Sequence, residues 1–276
     1  MKKLFILLLA VAGMTVSAQK KQKIKGSREV LIKTFSLPHF TEIEIGERFE
    51  IGLSKTTDTT RVEIETDDNL FDVIKFSVEE GVLRFATTME IIKKKRMKIN
   101  VYIPDDFNKI RLIERGKVFT DEQLSLKSLR IEAVKKSEAE LNLNIKDYLE
   151  VEASGKAELK LEGQVPEFYV HLTENASLEA QMETKKTEVS LDDHADCKLE
   201  GSSEKMIVKI QTKAHLKAAG FKTQNIILNN KDRASAEINV SGELELNLSG
   251  ESQTYIYGKP QINLKLFKDN AAVFKK

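Results

Sequence analysis

The sequence predicts an all-β protein, a parallel β-helix-like solenoid of 19–20-residue turns with an N-terminal β region capping one end. Two observations carry that prediction. Apolar side chains stand at every second position through most of the chain, which is the period of strands with one buried face. Beyond residue 107 this alternation returns in phase at an offset of 19 or 20 residues, the signature of a repeat architecture. The composition agrees: 276 residues with 41% hydrophobic content hold enough apolar side chain for a large core.

In chain order, Lys2 and Lys3 precede an apolar run over residues 4–12, and Val16 and Ala18 occupy the −3 and −1 positions before Gln19. Residues 1–18 therefore read as a secretory signal peptide cleaved near Ala18 and Gln19, since the run is shorter than the ~20 residues of a spanning helix. No Cys lies at that point, so a lipid anchor is not expected. Residues 19–27 read as a flexible basic arm. Residues 28–107 form the expected cap region, with alternating strands over 41–45, 49–53, 61–65, 74–78, 82–85 and 98–103. Turn formers separate them at Asp67-Asp68-Asn69, Glu79-Glu80-Gly81 and Pro104-Asp105-Asp106.

Residues 108–276 are the expected solenoid. One apolar column runs through Leu112, Ile131, Val151, Val170, Val189, Val208, Ile227 and Leu246. A second passes through Ser137, Ala157, Ala176, Ala195, Ala214 and Ala234. A third takes Ala139, Leu159, Leu178, Cys197, Leu216, Ala236 and Tyr255, and a fourth Leu141, Leu161, Ala180, Leu199, Ala218, Ile238 and Tyr257. Each turn would stack on the last at the ~4.8 Å spacing of paired strands. No leucine-rich pattern with a helical return recurs, and a propeller blade needs about 40 residues. A single turn buries too little to offset the entropy of ordering it, so turns must share burial with their neighbours and the rod's ends must be closed. Residues 262–267 with Val273 and Phe274 are expected to close the last turn. An outward column, Glu140, Lys160, Glu179, Lys198, Lys217 and Glu237, mostly alternates in sign and reads as a solvated face that discriminates against slipped register.

The opening of the chain resembles the head GIN domain family. The resemblance rests on Gly26, Arg28-Glu29-Val30, Phe40-Thr41-Glu42-Ile43, Phe49-Glu50-Ile51, Val62-Glu63-Ile64, Asp68-Asn69-Leu70, Gly81-Val82-Leu83 and residues 98–101. These are exported Bacteroidetes proteins described as auto-transporter adhesins, of otherwise unknown function. The resemblance implies a β-helix-like fold and carries no catalytic residues. At the turns, where relatives have Gly, Ser and Asp, this chain has Arg115-Gly116-Lys117 and Lys135-Lys136-Ser137.

Composition excludes several function classes. A net charge of +1 offers nothing for a nucleic acid, and one Cys excludes a disulfide scaffold and a Cys-ligated metal cluster. His171, His194 and His215 fall in different columns and cannot stack as a metal pair, so neither metal nor cofactor is expected. Cys197 reads as a small buried hydrophobe. Asp192, Asp193 and Asp196 flank one turn and read as turn formers; a catalytic carboxylate pair is the alternative. The speculative surface patch comprises Lys93, Lys94, Lys95 and Arg96, together with Tyr255 and Tyr257. The basic run reads as a solvated hairpin tip or a contact for anionic glycan or lipopolysaccharide phosphate. The two tyrosines share a face, filling the terminal core if they point in and forming a small patch if they point out.

The expected function is that of a non-catalytic, exported envelope protein, an adhesin or a binding or structural module of the periplasm or cell surface. The alternative is a carbohydrate-active β-helix enzyme. Expected partners are an envelope glycan or another envelope protein, with oligomers forming through the solenoid ends and no transmembrane segment in the mature chain.

Overall fold

The computed structural model describes residues 21–56 and 58–276. The expected signal peptide, residues 1–18, lies outside the described residues. The rest is a β-solenoid of about nine turns with about 19 residues per turn.

Each turn is built from two strand segments joined by a β-turn, and the second segment leads around a corner into the next turn. The segments pair in parallel with those of the turns on either side. Val170 lies opposite Val189 and Val189 opposite Val208, all three buried. The β-turn repeats as a stacked column. Asp192-Asp193-His194-Ala195 is one copy, closed by the Ala195 N–H donating to the Asp192 carbonyl at 3.1 Å. Its second residue is left-handed in every turn, as at Glu114 (φ 58°), Lys135 (φ 63°), Asp193 (φ 58°) and Asp232 (φ 59°). Few side chains tolerate that conformation, and Asp and Asn do so best because they can bond locally. Here the acidic side chain also reaches the previous turn: Asp193 Oδ2 accepts from Glu174 N at 3.2 Å, and Asp232 Oδ2 from Thr212 N at 3.1 Å. The fourth residue of each β-turn points inward at the tightest part of the coil. That explains the fully buried column of Ser137, Ala157, Ala176, Ala195, Ala214 and Ala234.

Register moves the ends of the expected columns. Ile131 lies opposite Ile110 rather than Leu112, which pairs with Ala133. Val208 lies opposite Leu228, and Ile227 faces outward opposite Ile207. The cause is a change in turn length. A shift between Lys198 and Glu200 marks an added residue in the turn that follows, and another between Ala218 and Lys222 marks a shortening of the next. Beyond it, Thr254 and Ile256 take the inward sites expected for Tyr255 and Tyr257.

The ladder also begins earlier than residue 108. Glu42–Ile45 pairs in parallel with Lys109–Leu112, and Glu50–Lys55 with Lys117–Phe119, so residues 42–55 already form a rung of the coil. Val82–Thr87 and Met97–Ile103 pair in parallel with that rung. Antiparallel strands then close the end: Ile74–Glu79 on Val82–Thr87, Arg61–Asp67 on Met97–Ile103, and Val30–Ser36 on Arg61–Asp67. An antiparallel closure removes the open parallel edge that would template further stacking. Its core changes from aliphatic to aromatic, with Phe35, Phe76, Phe85 and Phe49 in contact at ring centroid separations of 5.3, 6.0 and 5.7 Å. The basic arm is not free over its whole length. Lys23–Lys25 pairs in parallel with Glu90–Lys93, because Ile24 gains an apolar neighbour in Ile91 while the flanking lysines stay in water.

Cys197 occupies the inward column between Leu178 and Leu216 and is wholly buried. Burial pushes its thiol far above the ordinary cysteine value, so almost no thiolate forms near neutrality. Native protein should therefore react with a thiol reagent about 100-fold or more slowly than protein in denaturant. A native rate within tenfold of the denatured one would contradict this placement.

Candidate binding surfaces on the solenoid

A concave strip of about 850 Å³ runs along the solenoid axis where the second strand of one turn passes into the first strand of the next. Its outward column is Asn144, Gln164, Glu183, Ser202, Lys222 and Asn239, each opposite the next across the parallel ladder. Behind it stand the hydroxyls of Thr184, Ser203 and Thr223. These are largely committed to the fold. Ser203 Oγ donates to the Lys205 carbonyl at 2.9 Å, and the Thr184 and Thr187 hydroxyls bond each other at 2.8 Å. The outward side chains of Gln164, Glu183, Ser202 and Lys222 make no hydrogen bond among the described residues. The strip thus offers amide, carboxylate, hydroxyl and ammonium groups one turn apart, suited to an extended ligand rich in hydroxyls.

By contrast, the face formed by the first strands is already paired with itself. Arg130 reaches Glu132, Glu150 and Glu152 at 3.1, 3.5 and 2.9 Å, and burial, which opposes its charge, is outweighed by these carboxylates, which raise its pKa. Arg111 lies between Glu44 and Glu132 at 3.2 and 3.7 Å. In the expected charge ladder, ion pairs form at neighbouring positions instead of directly across the rungs. Lys198 pairs with Glu200 at 2.9 Å, and Lys217 with Asp196 at 2.7 Å.

The basic run is anchored to the cap along its backbone. Its backbone is pinned by Asp67, fully buried, whose carboxylate accepts from the N–H groups of Lys95, Arg96 and Arg28 at 3.1, 3.2 and 3.1 Å. Burial raises the pKa of Asp67, but those donors more than offset it and hold the carboxyl below its ordinary range. The Arg96 side chain pairs with Glu65 at 3.0 Å. Lys94 alone of the four lines a hollow, which lies beside the first turns.

A model of the family described as "Putative auto-transporter adhesin, head GIN domain" matches residues 39–181 and 164–260. This chain belongs to the head GIN domain family. Solved structures show the same fold. A putative adhesin from Parabacteroides merdae ATCC 43184 is 16% identical with a TM-score of 0.67, covering 92% of this chain and 99% of that one. A putative adhesin from Parabacteroides distasonis ATCC 8503 is 15% identical with a TM-score of 0.68, over 92% and 100% of the two chains. A putative lipid binding protein from the same organism is 14% identical with a TM-score of 0.63, over 92% and 100%. Comparison with curated proteins finds no match.

In this head GIN domain the tyrosines face outward, at the end of the rod opposite the basic run. About nine turns separate the two, ~40 Å at the spacing of paired strands. Tyr255 lies opposite Glu237 in the charged column and stacks on Phe274 at 4.9 Å. Tyr257 lies opposite Asn239 and so continues the outward column of the polar strip. The three aspartates are occupied locally. Asp192 accepts from Thr212 Oγ1 at 2.6 Å and Gln211 Nε2 at 2.7 Å, which hold its carboxyl below the ordinary value, Asp193 caps Glu174 N, and Asp196 pairs with Lys217. No group of three metal-ligating side chains converges among the described residues, and no helix there is long and apolar enough to cross a membrane. The inward columns carry no sign of the strip, but the outward positions do. A polar outward column without sign alternation recurs three residues after Leu141, Leu161, Ala180 and Leu199, at Asn144, Gln164, Glu183 and Ser202.

Proposed function

We propose that this head GIN domain is an exported, non-catalytic binding module of the cell envelope. It is released near Ala18 and Gln19, works in the periplasm or at the cell surface, and holds an envelope glycan lengthwise in the polar strip. The observation that carries this reading is the unsatisfied outward column from Gln164 to Lys222, continued by Tyr257, on a scaffold of the adhesin family. Sugar hydroxyls both donate and accept, which matches a row mixing amide, carboxylate and ammonium. The aspartates of the 192–196 turn are engaged in building the coil, so no observation favours a catalytic pair. The last turn exposes Ile262, Leu264, Leu266 and Phe267, and a second copy or another envelope protein would meet the rod there.

The test is a glycan screen with the full chain, followed by Ser202→Trp, an exposed position in the middle of the strip. A bound envelope glycan should lose about tenfold or more in affinity, with the melting temperature unchanged. Binding that survives the Trp, or no glycan bound at all, would overturn the reading.

A further inference from the structure

At the cap end a hollow of about 960 Å³ opens between the first turns and the strand Glu90–Lys93. Its floor is apolar, made by Phe49, Ile91 and Met97, the last two only partly buried. Its rim is cationic. Lys21 is matched by Glu47 at 2.6 Å and Lys135 by Glu114 at 3.9 Å. Arg48, Lys94, Arg115 and Lys136 also line it, and none makes an ion pair among the described residues. The remaining acid on the lining, Glu90, leaves a clear excess of positive charge.

Each half of this arrangement is incomplete alone. Partly exposed apolar groups gain ~25 cal/mol for every Å² removed from water, which a bare anion would not supply. An uncharged apolar ligand would leave four unmatched cations around it. Partial desolvation already holds the Lys94 ammonium below the ordinary lysine range against the pull of Glu50, although much of the side chain is exposed; a neighbouring anion would relieve that. Several unpaired cations lining one hollow favour a tetrahedral, multiply charged head over a carboxylate. The volume lies within the range of about 300–1,000 Å³ found for small-ligand sites.

We propose that this hollow binds a single-chain amphiphile with a phosphate monoester head, its chain on Phe49, Ile91 and Met97 and its phosphate among Arg48, Lys94, Arg115 and Lys136. The site is separate from the polar strip and independent of glycan binding.

Titration calorimetry of the full chain with monomeric dodecyl phosphate tests it. One saturable site is expected, weakened about tenfold or more by Lys94→Glu combined with Arg115→Glu. Inorganic phosphate should bind about 100-fold more weakly, and the uncharged dodecyl maltoside about tenfold or more weakly. Should the double variant melt early, Lys136→Glu at an exposed position carries the same charge test. Ser202→Trp should leave dodecyl phosphate binding unchanged, which separates failure here from failure of the glycan reading. The proposal is overturned if dodecyl phosphate does not bind, if inorganic phosphate or the maltoside binds as well, or if the charge reversals have no effect.

Discussion

Replacing Gly163 or Gly201 with Ala should lower the melting temperature more than any other single-methyl change in the coil. Both glycines sit in one corner column, Leu143, Gly163, Met182, Gly201 and Phe221, in which bulky buried residues alternate with glycine. Gly163 has φ +140° and Gly201 φ +112°, and a Cβ at either would run into the carbonyl of the turn before, that of Leu143 or of Met182. Backbone strain of this kind costs ~1–3 kcal/mol by itself, and the clash must also separate two paired turns. We expect about 3 kcal/mol or more for each, or about 6–12 °C for a chain of this size. Gly81 supplies the control. It is left-handed at φ +75°, but the nearest atom to an added Cβ is Thr41 Oγ1 at 3.8 Å, so Gly81→Ala should cost only the ~1 kcal/mol of the conformation. Thermal unfolding followed by circular dichroism decides it; equal losses at all three sites would show that close stacking of turns is not what requires glycine.

The same corner shows what was legible in the letters and what was not. Period-two alternation and the recurring offset gave Val170, Val189 and Val208 one column, because each inward side chain in the middle of the rod meets its counterpart one turn away. The offset failed where turns change length. The extra residue before Lys222 and the shorter turn after it put Ile227, Tyr255 and Tyr257 on the outer surface, and the bulge shows in the letters only as one break of the period-two alternation, from Ala218 to Phe221. The left-handed turn residues were hidden, since Glu114, Lys135 and Thr212 hold a conformation that composition assigns to Gly or Asn. The hollow at the cap could not be read at all. Its lining comes from segments as distant as Lys21, Arg48, Lys94, Arg115 and Lys136, brought together only when residues 42–55 stack under residues 109–119.

Asp67→Ala should release the basic run from the cap, and trypsin should find it. In the native chain the Lys95 and Arg96 N–H groups and that of Arg28 all end on this one buried carboxylate, while Asn69 Nδ2 ties the Lys25 carbonyl beside it. Removing the acceptor leaves these donors without a partner where water cannot readily replace it, and each lost acceptor loosens a segment containing four adjacent cleavage sites. Cleavage at residues 93–96 should accelerate about tenfold or more over the parent at neutral pH, with the turns beyond residue 108 still intact by mass. Acid should imitate the mutation. Because the folded carboxyl lies below its ordinary value of 3.8, its contribution is fully present above that value and is lost as pH falls through the folded one. The gap in melting temperature between the parent and Asp67→Asn, which cannot ionise, should therefore narrow on going from about pH 6 to about pH 3. A gap that stays constant over that span, or a variant cut no faster than the parent, would mean that the charge on Asp67 does not hold the run in place.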